Sequence, residues 1–301
     1  MSQSKDRIDA TGAILLLAFS MLLGLNQVCI KIVNGGMEPV FQAGLRSVCA
    51  FFPVLLFAII KRRRLSVNDG SFIPGVIVGL LFAGEFMMLF RALDYNSVAR
   101  VSVLFYTMPF WVALAAHVLI PGEKLTRLKL IGLVFALAGI VLTLKDSAGT
   151  SDQFRWQGDV FCLLAAAGWA AIAILARTTK LKKSCPEMQL LYQLAVSAPI
   201  LLLFALLDGE LLREPTAVTW LVFAFQVLVV VSIGFLTWFW VLSVYPVSNM
   251  AVFSFLAPVF GVLFGWLILH EQIGGPILAA LIFIAVGIVL VNWPTEKSTK
   301  N

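Results

Sequence analysis

Charged residues are scarce in this chain: Asp, Glu, Lys and Arg make up only 13% of its 301 residues, against about 25% in a soluble globular domain. Hydrophobic residues make up 60%, and they fall into repeated runs of roughly 20, the length with which a helix crosses about 30 Å of hydrocarbon. A chain with so little polar surface is not expected to be a soluble globular protein. The lipid bilayer is its expected solvent.

The sequence also lacks the motifs of the common enzyme classes. His270 and Glu271 are not followed by the second histidine of HExxH, no Gly-x-Ser-x-Gly elbow occurs, and no two buried aspartates are placed as a dyad requires. Four cysteines occur without any CxxC or Cys/His grouping, so ordinary small apolar residues are expected: Cys29, Cys49, Cys162 and Cys185. We therefore predict no enzymatic activity, no metal site and no cofactor.

Ten hydrophobic spans, separated by Gly, Pro, Asn, Asp or charge clusters, are predicted to be transmembrane helices. They cover residues 11–33, 40–60, 73–93, 97–119, 127–144, 158–176, 187–207, 219–242, 249–269 and 274–292. The longest polar connections, 61–72 and 145–157, are too short to hold a soluble domain. The expected fold is an all-α membrane protein of ten transmembrane helices.

Lys and Arg are distributed unequally between alternate connections. The termini and loops predicted on one side carry 15 of the 22 cations, the other side carries six, and Arg46 lies inside the second span. Because cations are retained on the cytoplasmic side, both termini are predicted to be cytoplasmic in a bacterial inner membrane. The net charge of +6 is thus interpreted as a topology signal and a lipid-headgroup contact, and nucleic acid is not an expected partner.

The two halves of the chain repeat each other. Matching residues lie 146 to 149 positions apart, as in these pairs: Pro109 and Pro258, Glu123 and Glu271, Pro39 and Pro186. Because each half contains an odd number of spans, the second copy must enter the membrane inverted relative to the first. We predict one membrane domain built from two inverted five-helix repeats, 1–147 and 148–301. Inverted repeats are typical of alternating access.

Two segments of the first half match a known family pattern. Arg46 lies early in the second span and is followed by the cationic loop 61–64, while the fourth span follows ALDYNSVA at 92–99 and ends in GEKLT at 122–126. These segments resemble the EamA-type carriers of the drug/metabolite transporter superfamily, and within it the chain is similar to YddG-type amino-acid exporters. The resemblance implies export of amino acids, aromatic ones included, or of related metabolites.

Glu85 lies inside the third span, about 12 residues from its cytoplasmic end, which is ~18 Å deep at ~1.5 Å per residue. A carboxyl group at that depth is costly, so it is expected to face a wet cavity or a partner. We interpret it as a ligand for a substrate ammonium or as a proton carrier coupled to transport. A neutral or paired carboxyl that fixes helix packing is the alternative. Its repeat counterpart is Gly234, so its role is asymmetric.

Further polar and aromatic side chains within the spans are candidates for a substrate cavity, because amides and hydroxyls suit a carboxylate or amine and aromatic faces suit rings and cations. They are Asn26, Gln27, Tyr106, Trp169, Ser232, Trp238 and Ser254. Ordinary packing is the alternative for the aromatic members. Pro109 and Pro258 are predicted to kink their helices and to act as hinges, with static packing as the alternative.

Three charged residues are assigned structural roles. Arg46 is expected to donate hydrogen bonds to carbonyls of a neighbouring helix, and Glu123 and Glu271 end the fourth and ninth spans at matched positions. Gly261 and Gly265 form a small-residue face, which we assign to packing within a monomer, with dimerisation as the minor alternative.

We therefore predict a secondary carrier whose partners are the lipid bilayer and a small-molecule substrate, with amino acids foremost and with proton coupling left open. A channel and a membrane-embedded enzyme are the alternatives. A channel filter usually needs rings of carbonyls or charges from several subunits, whereas two kinked repeats favour gating at both ends. The substrate range and the direction of transport are not determined by the sequence.

Overall fold

Helices dominate the computed structural model, which describes residues 10–120, 124–146, 152–234, 237 and 256–292. In chain order they are α1 (Ala10–Asn34), α2 (Pro39–Ile60), α3 (Phe72–Tyr95), α4 (Val98–Phe105), α5 (Met108–Leu119), α6 (Arg127–Lys145), α7 (Asp152–Thr178), α8 (Pro186–Asp208), α9 (Ala217–Phe225), α10 (Leu256–Leu269) and α11 (Gly275–Asn292). Within the described residues there is no β-strand, only an isolated antiparallel bridge between Met37 and Leu212.

Eight helical segments in the described residues are long and apolar enough to cross a membrane. They overlap the first eight spans predicted from the sequence, the fourth being α4 and α5 together; the eighth, predicted to reach residue 242, is described continuously only to Gly234. The shorter apolar helices α10 and α11 lie within the ninth and tenth predicted spans. The all-helical membrane fold is confirmed.

The outer surface of the helix bundle is apolar. Large hydrophobic side chains with more than 60% of their surface exposed occur on several helices: Phe52, Ile73, Val118, Leu207 and Leu221. A soluble monomer rarely exposes contiguous apolar surface of this kind. The exposed apolar side chains are therefore suited to contact with lipid.

The fourth span is interrupted at its centre. α4 ends at Phe105 and α5 begins at Met108, so Pro109 occupies the second position of a new helix, where its missing N–H leaves no hydrogen bond unmade. Thr107 Oγ1 donates to the Leu104 carbonyl at 2.7 Å. Pro258 is the third residue of α10, and the segment 251–255 before it lies outside the described residues.

Helices of the two halves interleave. α2 packs along α8, α3 along α7, α6 along α11 and α1 along α10. Glycines permit this close approach: a Cβ on Gly24 would lie 2.7 Å from the Gly261 nitrogen, and a Cβ on Gly132 would lie 2.9 Å from the Gly287 carbonyl oxygen. Gly261 therefore packs within the chain. The pairs α2 with α8 and α6 with α11 are repeat counterparts, and a two-fold relation brings such counterparts together.

A buried ion pair links the start of α4 to α7, and hence the first half to the second. Arg100 Nε lies 2.6 Å from Asp159 Oδ1, and Arg100 Nη2 lies 2.7 Å from Asp159 Oδ2. Arg100 Nη1 also donates to the Asp146 carbonyl at 2.8 Å, and Asn96 Nδ2 donates to Asp159 Oδ1 at 2.9 Å. Every charge in this cluster is matched by a short hydrogen bond, as a structural ion pair in an apolar setting requires.

Loops gather at two ends of the bundle. At one end, Arg63 Nε lies 2.9 Å from Glu187 Oε1 and the Ser71 hydroxyl lies 3.1 Å from that of Tyr192. These contacts join the cation-rich connection 61–72 to the first turns of α8. The opposite end carries the connections near residues 35–38 and 208–216.

Candidate functional site

A cavity of about 130 Å³ lies between the two halves of the chain. Helices α1, α2, α3 and α4 supply one part of its wall, and α7, α8 and the helix that follows α9 supply the rest. The lining is mostly apolar, with a few polar groups; it comprises Leu23, Asn26, Ile30, Arg46, Ser47, Ala50, Phe82, Glu85, Phe86, Leu89, Phe105, Trp169, Leu190, Leu194, Val230 and Val231. A mostly apolar wall with a few convergent polar groups is typical of a small-molecule site, although such sites usually measure about 300–1,000 Å³.

Glu85 projects from the middle of α3 and is 3% exposed. Its Oε2 has no hydrogen-bond partner among the described residues. Across from it on α7, Gly168 leaves room: a Cβ there would lie 3.5 Å from Glu85 Cβ. A buried carboxyl oxygen without a partner is rare in proteins, and in a membrane span it marks a candidate functional group.

Arg46 enters the same cavity from α2 and is 4% exposed. Its Nη1 donates to Asn26 Oδ1 at 3.4 Å and to Gln226 Oε1 at 3.5 Å, so both acceptors are side-chain amides rather than the backbone carbonyls expected from the sequence. Its Cζ lies 4.6 Å and 4.7 Å from the ring centroids of Phe86 and Phe90. The guanidinium is held between aromatic rings and weak amide contacts.

Glu85 and Arg46 share the cavity without forming an ion pair within 4 Å in the described part of the chain. They are the two ionisable groups among its described lining residues. The cavity thus contains one potential anion and one potential cation, each available to a third group.

The structure brings together some of the predicted cavity residues and separates others. Asn26 and Trp169 line the cavity with Glu85. The Gln27 side chain is turned away and accepts a hydrogen bond from the Ser102 hydroxyl, and Ser232 Oγ donates to the Val227 carbonyl at 2.8 Å. Neither they nor Tyr106, which is buried beside Phe105, contribute to the cavity lining. Trp238 and Ser254 lie outside the described residues.

Two buried glutamines were missed by the sequence analysis. Gln42 Nε2 donates to Gln226 Oε1 at 3.3 Å, which joins α2 to the helix after α9, and both side chains are fully buried. Gln42 Oε1 and Gln226 Nε2 have no hydrogen-bond partner within the described segments. The sequence contained the signal that would have identified them, namely an amide side chain inside an apolar span. The same signal selected Asn26.

The eighth span changes its winding beside the cavity. After α9 it continues as a π-helix, Gln226–Gly234, and Val230 and Val231 of this segment line the cavity. π-helical turns inside α-helices are frequent at functional sites. Here the change of winding occurs where Gln226 meets Arg46.

Of the two repeat-matched glutamates, Glu271 lies within the described residues and has a structural role. Glu271 accepts hydrogen bonds from the backbone N–H groups of Val98 at 2.7 Å and Ala99 at 3.0 Å. A carboxylate at a helix N-terminus satisfies unpaired donors there, so Glu271 fixes the start of α4 to the segment after α10. Glu123 lies outside the described residues.

The end of the bundle near residues 208–216 is cross-linked between the halves. Arg213 Nη1 lies 2.9 Å from Asp94 Oδ2, and Arg91 forms an ion pair with Asp208. The Arg213 backbone N–H donates to the Gly36 carbonyl at 2.9 Å. These contacts tie the end of α3 and the α1–α2 connection to the segment after α8.

A sequence model of the EamA-like transporter family matches residues 10–145 and 156–293, one copy in each half. The chain belongs to the EamA-like transporter family. Two copies of the family unit in one chain establish the two-repeat membrane fold of this EamA-family protein. The family resemblance noted in the sequence is therefore confirmed, and the protein is a membrane transporter of the drug/metabolite transporter superfamily.

Relatives of this EamA-family chain include named pumps. The uncharacterized transporter YoaV of Bacillus subtilis is 27% identical over 277 residues, which cover 91% of this chain and 94% of YoaV. The probable amino-acid metabolite efflux pumps of Salmonella typhimurium and Escherichia coli are 26% and 25% identical, with 92% of this chain and 93% of each pump covered. A solved crystal structure with 19% identity and a TM-score of 0.67, covering 93% of this chain and 97% of its own, has the same fold.

Proposed function

We propose that this transporter is a secondary carrier that exports small organic solutes, amino acids foremost, across the bacterial inner membrane by alternating access. The observation that carries the proposal is Glu85, a buried carboxyl whose Oε2 has no hydrogen-bond partner among the described residues, in a cavity walled by both halves of the chain. A transporter needs a site that a solute can reach from either side. A cavity between the halves becomes such a site when the two halves move relative to each other.

The architecture proposed for this mechanism has ten transmembrane helices in two inverted repeats, 1–147 and 148–301. The interleaved packing of repeat counterparts supports it.

Pro109 and Pro258 are proposed as hinges, so replacing either proline should slow the exchange of substrate more than it weakens equilibrium binding. The cross-links of Arg213 and Arg91 would then hold the periplasmic end closed in this conformation, and they must break for release. The protein is proposed to act as a monomer, and Glu85 is the proposed site of any proton coupling.

Counterflow in proteoliposomes tests the proposed function. Purified protein in vesicles loaded with unlabelled phenylalanine is expected to accumulate external labelled phenylalanine transiently and with a saturable rate. Leucine, threonine and lysine define the substrate range by competition. Non-saturating ionic conductance would instead favour a channel, and chemical conversion of the solute would favour an enzyme; either result, without counterflow, would overturn the carrier.

Membrane orientation gives a second test. Asn68 and Glu210 are exposed and lie at opposite ends of the bundle, the first near the proposed cytoplasmic end because of the cations around it. In a variant without the four native cysteines, an impermeant maleimide added to intact cells should label Glu210→Cys and spare Asn68→Cys. Permeabilised cells should show labelling of both variants. Labelling of Asn68→Cys alone in intact cells would reverse the orientation.

A further inference from the structure

The guanidinium of Arg46 makes few and long hydrogen bonds in the described structure. Its hydrogen bonds both involve Nη1, at 3.4 Å and 3.5 Å, which is the long limit of a hydrogen bond. Nε and Nη2 have no hydrogen bond within the described segments, and the side chain lines the cavity. A guanidinium presents five donors in a planar fork that matches a carboxylate with two parallel hydrogen bonds. The fork of Arg46 is available for such a partner.

Arg100 shows what a structural arginine looks like in this protein. It is equally buried, yet its fork is filled by the Asp159 carboxylate at 2.6 Å and 2.7 Å and by the Asp146 carbonyl at 2.8 Å. Within the described residues, Arg46 has no carboxylate within 4 Å and no hydrogen bond shorter than 3.4 Å. The two sites therefore differ in that no described carboxylate fills the fork of Arg46.

Charge balance in the cavity indicates which kind of solute would supply an anion to Arg46. Among the described lining residues, Arg46 and Glu85 are the ionisable groups, and no ion pair within 4 Å joins them. A monoamine would neutralise Glu85 and leave Arg46 uncompensated, while a monocarboxylate would do the reverse; an uncompensated charge in a low-dielectric cavity is costly. A solute carrying both charges satisfies both groups.

On these grounds, and resting on the proposed carrier function, we infer that Arg46 binds the substrate's carboxylate while Glu85 binds its ammonium. The site therefore selects neutral zwitterions over amines and acids of the same shape. Asn26 and Gln226 are positioning residues that orient the guanidinium through their side-chain oxygens. The apolar wall, with Phe82, Phe105 and Trp169, favours an uncharged side chain on the substrate.

Three ligands of one shape test the inference on the unaltered protein. Phenylalanine, phenethylamine and 3-phenylpropanoate share a phenyl ring and differ in which charged groups they carry. In competition against labelled phenylalanine in proteoliposomes, phenylalanine should bind at least tenfold more tightly than either analogue. If phenethylamine competes as well as phenylalanine, no group recognises the carboxylate, and the inference is wrong although the carrier function stands. A protein that carries no amino acid at all overturns the proposed function itself.

Two variants then assign the charges. Arg46→Gln should lower the apparent affinity for phenylalanine at least tenfold and change the affinity for phenethylamine by no more than about threefold. Glu85→Gln should lower the affinities for phenylalanine and phenethylamine and leave that for 3-phenylpropanoate unchanged. Arg46→Lys keeps the charge without the fork and should fall between the wild type and Arg46→Gln. Arg64→Gln removes an exposed arginine of the 61–72 connection, outside the cavity, and is the matched control. Equal losses for phenylalanine and phenethylamine in folded Arg46→Gln would mean a purely structural arginine and would overturn the inference.

Discussion

Glu85→Gln is expected to lower the apparent affinity for phenylalanine about 10- to 100-fold in counterflow. Glutamine preserves the size of the side chain and its hydrogen bonding while it removes the negative charge. A hydrogen bond to a charged group is worth about 1.5–3 kcal/mol, and every 1.4 kcal/mol corresponds to a factor of about ten in affinity. The loss should be near the upper end, because Glu85 is only 3% exposed.

The pH profile of the same variant separates the two interpretations of Glu85. If the carboxyl binds the ammonium, affinity falls. If it carries a coupling proton, affinity is retained and the dependence of exchange on pH disappears. Glu187→Gln provides the control, because Glu187 is also buried and also has one unpartnered oxygen within the described residues, yet it pairs with Arg63 at the end of the bundle. A folded Glu85→Gln protein with unchanged affinity, rate and pH profile would leave only a packing role.

Asp159→Ala is expected to destabilise the protein by about 3–5 kcal/mol, the cost of leaving one member of a buried ion pair without its partner. Arg100 would keep the Asp146 carbonyl and lose both carboxylate contacts. The apparent melting temperature in detergent should fall by roughly 5 °C or more. A fluorescence-based thermal scan of the purified variant measures this shift.

A matched control for the Asp159 variant exists at the same end of the bundle. Arg91 and Asp208 form an ion pair whose side chains are 25% and 40% exposed, and such a pair contributes only about 0–1 kcal/mol. Asp208→Ala should therefore change the melting temperature little. Replacing both buried partners, with Arg100→Met and Asp159→Leu together, should recover part of the lost stability. Equal shifts for Asp159→Ala and Asp208→Ala would contradict the structural role of the buried pair.

Much of the fold was accessible from the sequence because a bilayer imposes strong constraints on composition. A span must be apolar over about 20 residues, so the first eight predicted spans overlap helical segments of the described structure. The depth of a polar residue within its span is readable in the same way, and this rule selected Glu85, Asn26 and Trp169, which are among the residues that line the cavity. Applied evenly, it would also have selected Gln42 and Gln226.

The depth of a residue within its span does not determine which way its side chain points. The direction of the side chain decided which candidates line the cavity. Asn26 and Gln27 are neighbours on α1, about 100° apart around the helix axis, so their side chains leave the helix in different directions. Asn26 reaches Arg46, while Gln27 binds Ser102. At the break between α4 and α5, Phe105 enters the cavity wall and Tyr106 does not. These outcomes depend on how each helix is rotated by its neighbours.

The sequence by itself determined the solvent of this protein, its helical class, its internal repeat and its family, since each depends on composition or on patterns along the chain. The tertiary structure decided which charges meet. Arg100 and Asp159 are 59 positions apart and form a tight pair, whereas Arg46 and Glu85 enter one cavity and stay apart. Pairing depends on ångström-scale distances between packed helices, which no periodicity along a chain encodes.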